Sequence, residues 1–242
     1  MARERLDVLL VQRGLCASRE KAQRVIMAGA VFSGGTRMEK ASQTLAADAP
    51  LEVRAADRYV GRGGLKLEAA LRGFALDPAG TTCLDVGAST GGFTDCLLQH
   101  GATKVYALDV GHGQLDWKIR SDPRVVVMEH CNARHLQPGD LPEKVDLIVA
   151  DVSFISLTLV LPPVAAVLTD GGRMVALIKP QFELSRAEVG RGGVVRDEAA
   201  HGRAVDKIRD FSAGLGWTWG GVVDSPITGA DGNREFLCLL RP

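Results

Sequence analysis

The stretch LDVGASTGGFTD, Leu84 to Asp95, decides how the rest of the chain is read. The apolar run Thr82 to Val86 enters a glycine-bearing turn, and Gly92 to His100 follows with helical spacing. Strand, glycine turn and helix in that order form a nucleotide-type binding turn, because glycine lets the backbone approach a ligand that side chains would exclude. Asp109 closes the next apolar run, about twenty residues on, where a carboxylate accepts hydrogen bonds from ribose hydroxyls.

Outward from this turn, the runs Lys104 to Asp109, Val125 to Glu129, Val145 to Asp151 and Arg173 to Lys179 are nearly continuous in apolar residues. Parallel strands covered on both faces have this character. The spacing predicts helices over Leu157 to Leu168 and Glu198 to Leu215, which makes residues 58–242 a doubly wound α/β domain. Trp217 to Val223 and Arg234 to Leu240 lack a helix between them and are expected to form an antiparallel hairpin at one sheet edge.

The glycine spacing selects the cofactor. A dinucleotide site uses G-x-G-x-x-G, whereas here Gly87 is followed by Gly91 and Gly92, and Asp85 would crowd a pyrophosphate. S-adenosylmethionine carries no phosphate, and its amino acid and sulfonium suit an acidic glycine-rich turn. The segment resembles motif I of class I (Rossmann-like) S-adenosylmethionine-dependent methyltransferases. That resemblance implies cofactor contacts from Asp85, Gly87, Ala88, Ser89, Gly91, Gly92 and Phe93, from Asp109 and Val110 after the second strand, from Asn132 and Ala133 near the adenine, and from Asp151.

Ahead of this domain, Leu6, Leu9 and Leu10 are spaced for a short helix ended by Gly14. Ser18 stands where an N-cap belongs, before a second helix marked by Ala22, Val25 and Ile26 and stopped by Gly29. Val31-Phe32, the Gly34-Gly35 turn and Leu51 to Val53 suggest short strands closing a small α+β unit over residues 1–57. The phrase Arg5 to Val31 resembles the RNA-binding domain of ribosomal protein S-four, pseudouridine synthases and tyrosyl-tRNA synthetases. Its basic helix pair, with Arg3, Arg5, Arg13, Arg19, Lys21 and Arg24, is thereby implied to grip folded RNA. One departure is that the usual Val-Asn-Gly turn reads Phe32-Ser33-Gly34-Gly35.

The net charge of zero conceals an asymmetry. Residues 1–66 carry 12 Lys or Arg against 7 Asp or Glu, and the remainder carries 17 against 22. A basic front on an acidic body implies a polyanionic partner for the front. Between Gln181 and Asp197 the chain is rich in glycine and arginine, and Arg62, Arg186 and Arg191 are expected to add cationic contacts beside the sheet edge.

In an open α/β sheet, ligands bind beyond the carboxyl ends of the strands. Asp151 and Lys179 each close a strand, Glu235 begins the last antiparallel one, and Lys66 lies in the first turn of a helix, where a cation opposes the dipole. These four resemble the Lys-Asp-Lys-Glu tetrad of FtsJ-like ribose 2′-O-methyltransferases. With the front module, the match extends over nearly the whole chain and is close to the TlyA family of hemolysin-like rRNA methyltransferases. The resemblance implies transfer of a methyl group from S-adenosylmethionine to a ribose 2′-hydroxyl of ribosomal RNA. The chain's shortness points to the form of the family associated with a cytidine of the large subunit. Lys179 is the candidate for activating the hydroxyl, with Asp151 and Glu235 orienting it. A lysine carries its proton at neutrality, so a base role needs surroundings that favour the neutral amine.

Other acceptors fit less well. The Asp/Asn-Pro-Pro-Tyr/Phe signature of exocyclic-amine methylation is replaced by Asp151-Val152-Ser153-Phe154, and no cysteine stands between Cys131 and Cys238 to attack a cytosine ring. A small-molecule or protein methyltransferase, a membrane-active hemolysin and a non-catalytic ribosome-binding factor stay open as rivals. Apolar residues at 46% and charged residues at 24% describe an ordinary globular chain. Leu157 to Leu168, interrupted by two prolines, falls well short of the ~20 apolar residues of a spanning helix. The charged start Arg3, Glu4, Arg5, Asp7 is unlike a signal peptide, so a cytoplasmic location is expected. The five cysteines form no close pair, and no metal is expected.

Overall fold

Leu6, Leu9 and Leu10 bury one stripe of a first helix, and Ala22 and Ile26 bury the facing stripe of a second. Around this pair the first of two compact units is built; the units comprise residues 1–58 and 59–242. The structure, a computed structural model, describes residues 3–54 and 57–242, and only the backbone at position 191.

The first unit runs β1 (Arg3–Arg5), α1 (Leu6–Gln12), α2 (Arg19–Met27), β2 (Val31–Ser33), β3 (Thr36–Arg37), β4 (Thr44–Ala46) and β5 (Glu52–Val53). Ser18 caps α2 as its position predicts, its Oγ accepting a hydrogen bond from the Lys21 amide at 3.2 Å. Gly34 and Gly35, both at positive φ, turn β2 into β3, and β5 pairs on the other side of β2. The β1–β4 pair was not expected, because Arg3-Glu4-Arg5 shows no apolar alternation; Glu4 faces Leu45 across it.

The second unit comprises α3 (Gly63–Gly73), β6 (Thr82–Val86), α4 (Gly92–Gln99), β7 (Lys104–Leu108), α5 (Trp117–Arg120), β8 (Val125–Met128), β9 (Val145–Ala150), α6 (Leu161–Ala165), β10 (Leu168–Ile178), α7 (Pro180–Glu183), α8 (Glu198–Gly214), β11 (Thr218–Asp224) and β12 (Phe236–Arg241). They form a seven-stranded sheet in the order β11-β12-β10-β9-β6-β7-β8. β8, β7, β6, β9 and β10 are parallel, and β12 lies antiparallel between β10 and β11. This is the expected α/β sheet with an antiparallel hairpin at its edge.

Side chains alternate across the sheet. Leu147 and Val149 join one apolar layer with Leu71 and Leu97, while Ile148 and Ala150 join the opposite layer with Met174 and Ile208. Full burial of large residues such as Leu84, Ile148 and Met174 contributes about 1.5–3 kcal/mol each.

The helix expected over Leu157 to Leu168 is corrected by the structure. Leu157–Leu159 forms a 3₁₀ turn, α6 covers only Leu161–Ala165, and β10 already begins at Leu168, opposite Val145. Pro162 and Pro163 are tolerated only in a first helical turn, which fixes where α6 starts. The register of β10 then shifts between Leu168 and Arg173, adding strand where the sequence reads as turn.

Candidate active site

The loops leaving β6, β7, β8, β9 and β10 all lie at the carboxyl edge of the parallel strands, where the start of antiparallel β12 joins them. Two cavities open there, of about 520 and 400 Å³. Both are lined by Gly87, Ser89, Asp151, Ser153 and Phe154, so they communicate over the end of β9.

The first cavity is an apolar slot with polar ends. Val86, Leu108, Val152, Ile155 and Val160 form its walls, with Asp109, Val110, Asn132 and Ala133 along the far side. Gly87 sits at φ +84°, and a Cβ there would lie 2.4 Å from the Asp151 carbonyl oxygen, so the turn requires glycine. Asp109 is held by two backbone donors: the Ser89 amide at 2.8 Å to Oδ2 and the Gly111 amide at 2.7 Å to Oδ1. Each oxygen keeps a lone pair for a ligand hydroxyl. Two carboxylates, Asp109 and Asp151, face one guanidinium, Arg134, around this cavity. That set suits a nucleoside with a cationic tail better than a phosphate.

Ala88, Gly92 and Phe93 line the second cavity. Asp85 and Gly91 line neither, contrary to the sequence expectation. Asp85 is completely buried under the turn, where Thr94 Oγ1 donates to its Oδ2 at 2.6 Å and Oδ1 has no hydrogen-bond partner among the described residues. Burial drives its carboxyl up to about 7, with the Thr94 hydroxyl opposing. At Gly91, φ is +96° and a Cβ would meet Leu115 Cδ1 at 2.9 Å, so this glycine serves packing.

The second cavity gathers all four tetrad residues. Lys66 Nζ lies 2.6 Å from Glu235 Oε2 and 3.9 Å from Asp151 Oδ2, while Lys179 Nζ lies 2.6 Å from Asp151 Oδ1. Two cations and two carboxylates therefore alternate in one chain of contacts. Lys66, Lys179 and Glu235 are buried and Asp151 is 20% exposed at the side chain. Tertiary structure brings them together: α3 presents Lys66, Asp151 and Lys179 immediately follow β9 and β10, and Glu235 immediately precedes β12.

Sequence reasoning missed Ser153, whose Oγ accepts from Lys179 Nζ at 2.7 Å, and the aromatic pair Phe154 and Phe182, with ring centroids 5.2 Å apart. Their only sequence signal is adjacency to Asp151 and Lys179. Glu183 was also missed. Its buried carboxylate accepts from Ser156 Oγ at 2.6 Å and the Leu157 amide at 2.8 Å, and pairs with Lys207 at 3.1 Å.

The expected RNA contacts divide into groups. Arg62 is exposed and lines the second cavity, and Arg186 is exposed on the loop after α7. The Arg191 side chain lies outside the described residues. In the first unit, Lys21 and Arg24 are exposed on α2, Arg24 lying 3.9 Å from Glu20. Arg3 donates to the Thr44 carbonyl at 2.7 Å, and Arg13 donates to the Ala47 and Ala49 carbonyls. Arg5 and Arg19 both reach buried Asp7 at 3.0 Å, yet keep 43% and 57% of their side chains exposed. Arg3, Arg5, Arg13 and Arg19 thus fasten the unit as well as charging its surface.

Among the described residues, no helix is long and apolar enough to cross a membrane, and no group of three or more His, Cys, Asp or Glu is placed to hold a metal ion.

Known proteins resemble this chain along nearly its whole length. YqxC of Bacillus subtilis, named as an rRNA methyltransferase, is 50% identical over 98% of this chain and 85% of its own length. The 16S/23S rRNA (cytidine-2′-O)-methyltransferase TlyA of Mycobacterium tuberculosis is 46% identical over 99% of this chain and 90% of its own length. A solved structure from Streptococcus thermophilus, described as a hemolysin, superposes with a TM-score of 0.76 at 45% identity, covering 100% of this chain and 89% of that one. Residues 4–49 match the S4 domain and residues 59–241 match the FtsJ-like methyltransferase model. With its cofactor turn, its Lys-Asp-Lys-Glu cluster and the sheet that positions both, the chain belongs to the FtsJ-like methyltransferase family.

Proposed function

We propose that this protein transfers a methyl group from S-adenosylmethionine to a ribose 2′-hydroxyl of ribosomal RNA, at a cytidine of the large subunit. The observation that carries the reading is the alternating cluster Glu235–Lys66–Asp151–Lys179, set in a cavity that opens into the nucleoside-shaped slot beneath Gly87. The relatives' names, which specify rRNA and, for TlyA, the cytidine 2′-oxygen, support the same acceptor.

The slot fits the cofactor. Asp109 would take the ribose hydroxyls, Val110, Asn132 and Ala133 would border the base, and Gly87, Ala88 and Ser89 would let the amino-acid end lie against the turn. When bound, S-adenosylmethionine supplies an electrophilic methyl on a sulfonium. The chain's own residues prepare the acceptor. A ribose hydroxyl is a poor nucleophile, and its oxygen gains negative character as its proton passes to solvent in the open cavity. Lys179, ion-paired to Asp151, acts as a buried cation that stabilises this charge at short range. Lys66, between Glu235 and Asp151, holds the Asp151 carboxylate in place. Asp151 and Ser153 line both cavities, so acceptor and donor would meet beside them, and holding the two in line favours a displacement.

Residues 1–57 form the RNA-holding module and residues 58–242 the catalytic one. Arg3, Arg5, Arg13, Arg19, Lys21 and Arg24 supply phosphate contacts from the module, and Arg62, Arg186 and Arg191 supply them beside the site. Such contacts position the RNA without reading its sequence. A ribosomal substrate supports a cytoplasmic location.

The test is transfer of a labelled methyl group from S-adenosylmethionine to purified ribosomal subunits and to free rRNA. Label on large-subunit ribose that disappears in Lys179→Ala is expected. No label on any RNA, despite measured cofactor binding, would redirect the assignment to a non-RNA acceptor.

A further inference from the structure

Ser153 occupies a position that the tetrad does not account for. It lines both cavities, and its Oγ lies 2.7 Å from the Nζ of Lys179. The same Nζ is 2.6 Å from Asp151 Oδ1. A lysine ammonium has three N–H donors. Ser153 Oγ takes one of them, whereas Asp151 faces the ammonium as an ion pair, its Oδ1 without a hydrogen-bond partner among the described residues. The Phe182 ring centroid is 6.0 Å from Nζ, at the outer limit of a cation–π contact. N–H donors are therefore left for a ligand at the junction of the two cavities.

The backbone supports the same reading. Phe154, next to Ser153, adopts φ +63° although it is not a glycine, and its side chain is 91% exposed. A bulky residue in the left-handed region costs free energy and persists only where the surroundings impose it. Here the chain bends directly after Ser153, while the Asp151 amide is tied to the Val86 carbonyl at 2.9 Å.

We propose that Ser153 is a positioning residue for methyl transfer: its hydrogen bond fixes one N–H direction of Lys179, beside the ion pair with Asp151, and so aims the remaining N–H groups at the acceptor oxygen. The inference rests on the ribose-methylation reading above. It separates two duties within the segment Asp151 to Phe154: the carboxylate supplies charge and the hydroxyl supplies direction. An ammonium anchored by Asp151 alone would still be cationic, but it would rotate and share its donors with water.

The test compares Ser153→Ala, Ser153→Thr and the wild type in single-turnover methyl transfer to ribosomal subunits, with S-adenosylmethionine affinity measured by calorimetry and RNA dependence measured separately. Ser153→Ala is expected to lower the transfer rate on the order of tenfold, as for one lost hydrogen bond to a charged group. Cofactor Kd and the KM for RNA should stay within about twofold, because only the reacting geometry changes. Ser153→Thr keeps a hydroxyl at the same carbon and is expected to restore most of the rate. Wild-type transfer in Ser153→Ala, or an equal defect in Ser153→Thr, overturns the proposal, as does a loss confined to KM. Absence of transfer in the wild type itself counts against the ribose-methylation reading, so the two failures are distinguishable.

Discussion

Lys66 and Glu235, one in the first turn of α3 and the other at the threshold of β12, meet at 2.6 Å with side-chain exposures of only 9% and 3%. A buried pair of this kind is expensive to break from one side, because the remaining charge stays in a poorly solvating site. Glu235→Ala is expected to destabilise the catalytic unit by about 3 kcal/mol and to abolish methyl transfer. The double variant Lys66→Met/Glu235→Leu should regain much of the stability and none of the activity. Urea unfolding and methyl transfer on the same samples check both halves; equal stability loss in single and double variants would refute the buried-pair account.

Gly87 admits no Cβ, since one would fall 2.4 Å from the Asp151 carbonyl oxygen. Gly87→Ala should weaken S-adenosylmethionine binding at least tenfold, roughly the cost of forcing an L-residue to positive φ and displacing a neighbouring strand end. Calorimetric titration measures this directly, and unchanged affinity would show that the turn does not bear on the cofactor.

Asp85 makes stability depend on pH. Its carboxyl titrates at about 7 in the folded protein because of burial, against about 3.9 in an unfolded chain. Between these values the folded state holds a proton that the unfolded state has lost, so stability falls as pH rises. The favourable contribution is complete below about pH 4 and lost as pH rises through about 7. Asp85→Asn cannot ionise and should show a flatter stability curve from pH 4 to 8. Thermal melts across that range would decide the matter, parallel curves being the adverse result.

Asp7 behaves oppositely in the first unit. The Arg5 guanidinium holds its carboxyl well below the usual carboxylate range, with Arg19 and Gln23 adding hydrogen bonds against the effect of burial. Its contribution is present above the ordinary carboxylate pKa of about 4 and is lost as pH falls toward the folded value. Asp7→Asn should lower the melting temperature of the first unit at pH 7 and weaken rRNA retention, while cofactor affinity is unchanged. Filter binding to rRNA beside cofactor titration separates these outcomes.

Glu183 joins the chain after Lys179 to the turn after Ser153 through Ser156 Oγ and the Leu157 amide. Glu183→Ala removes that clasp beyond the last β9–β10 pair. Faster hydrogen exchange is expected over residues 151–160 and 180–184, with methyl transfer reduced more than cofactor binding. Exchange at wild-type rates there would argue against the clasp.

Much of this was legible in the chain because the signals were local. A strand, a glycine turn and a helix are read from periodicity, and Ser18 and Gly29 delimit α2 by capping chemistry. The order Lys66, Asp151, Lys179, Glu235 survives as a pattern although the residues meet only in three dimensions. What failed was non-local. The β1 strand exists because Arg3 to Arg5 finds β4, not because its residues alternate. Leu157 to Leu168 reads as one helix until the prolines and the Val145 partner divide it. Ser153 is an ordinary serine until Lys179 arrives beside it, and Asp85 reads as a ligand contact until its burial is seen. Arg5 and Arg19 read as RNA contacts, yet the distance to Asp7 reveals a second duty that charge counting cannot express.

β12 lies between β10 and β11 and is the last strand in chain order. Until it inserts, β10 and β11 have no shared neighbour and Lys66 lacks its nearest carboxylate. Insertion of β12 beside β10 therefore closes the sheet and delivers Glu235 to Lys66 in one event, so that completion of the fold and completion of the charged cluster are the same step.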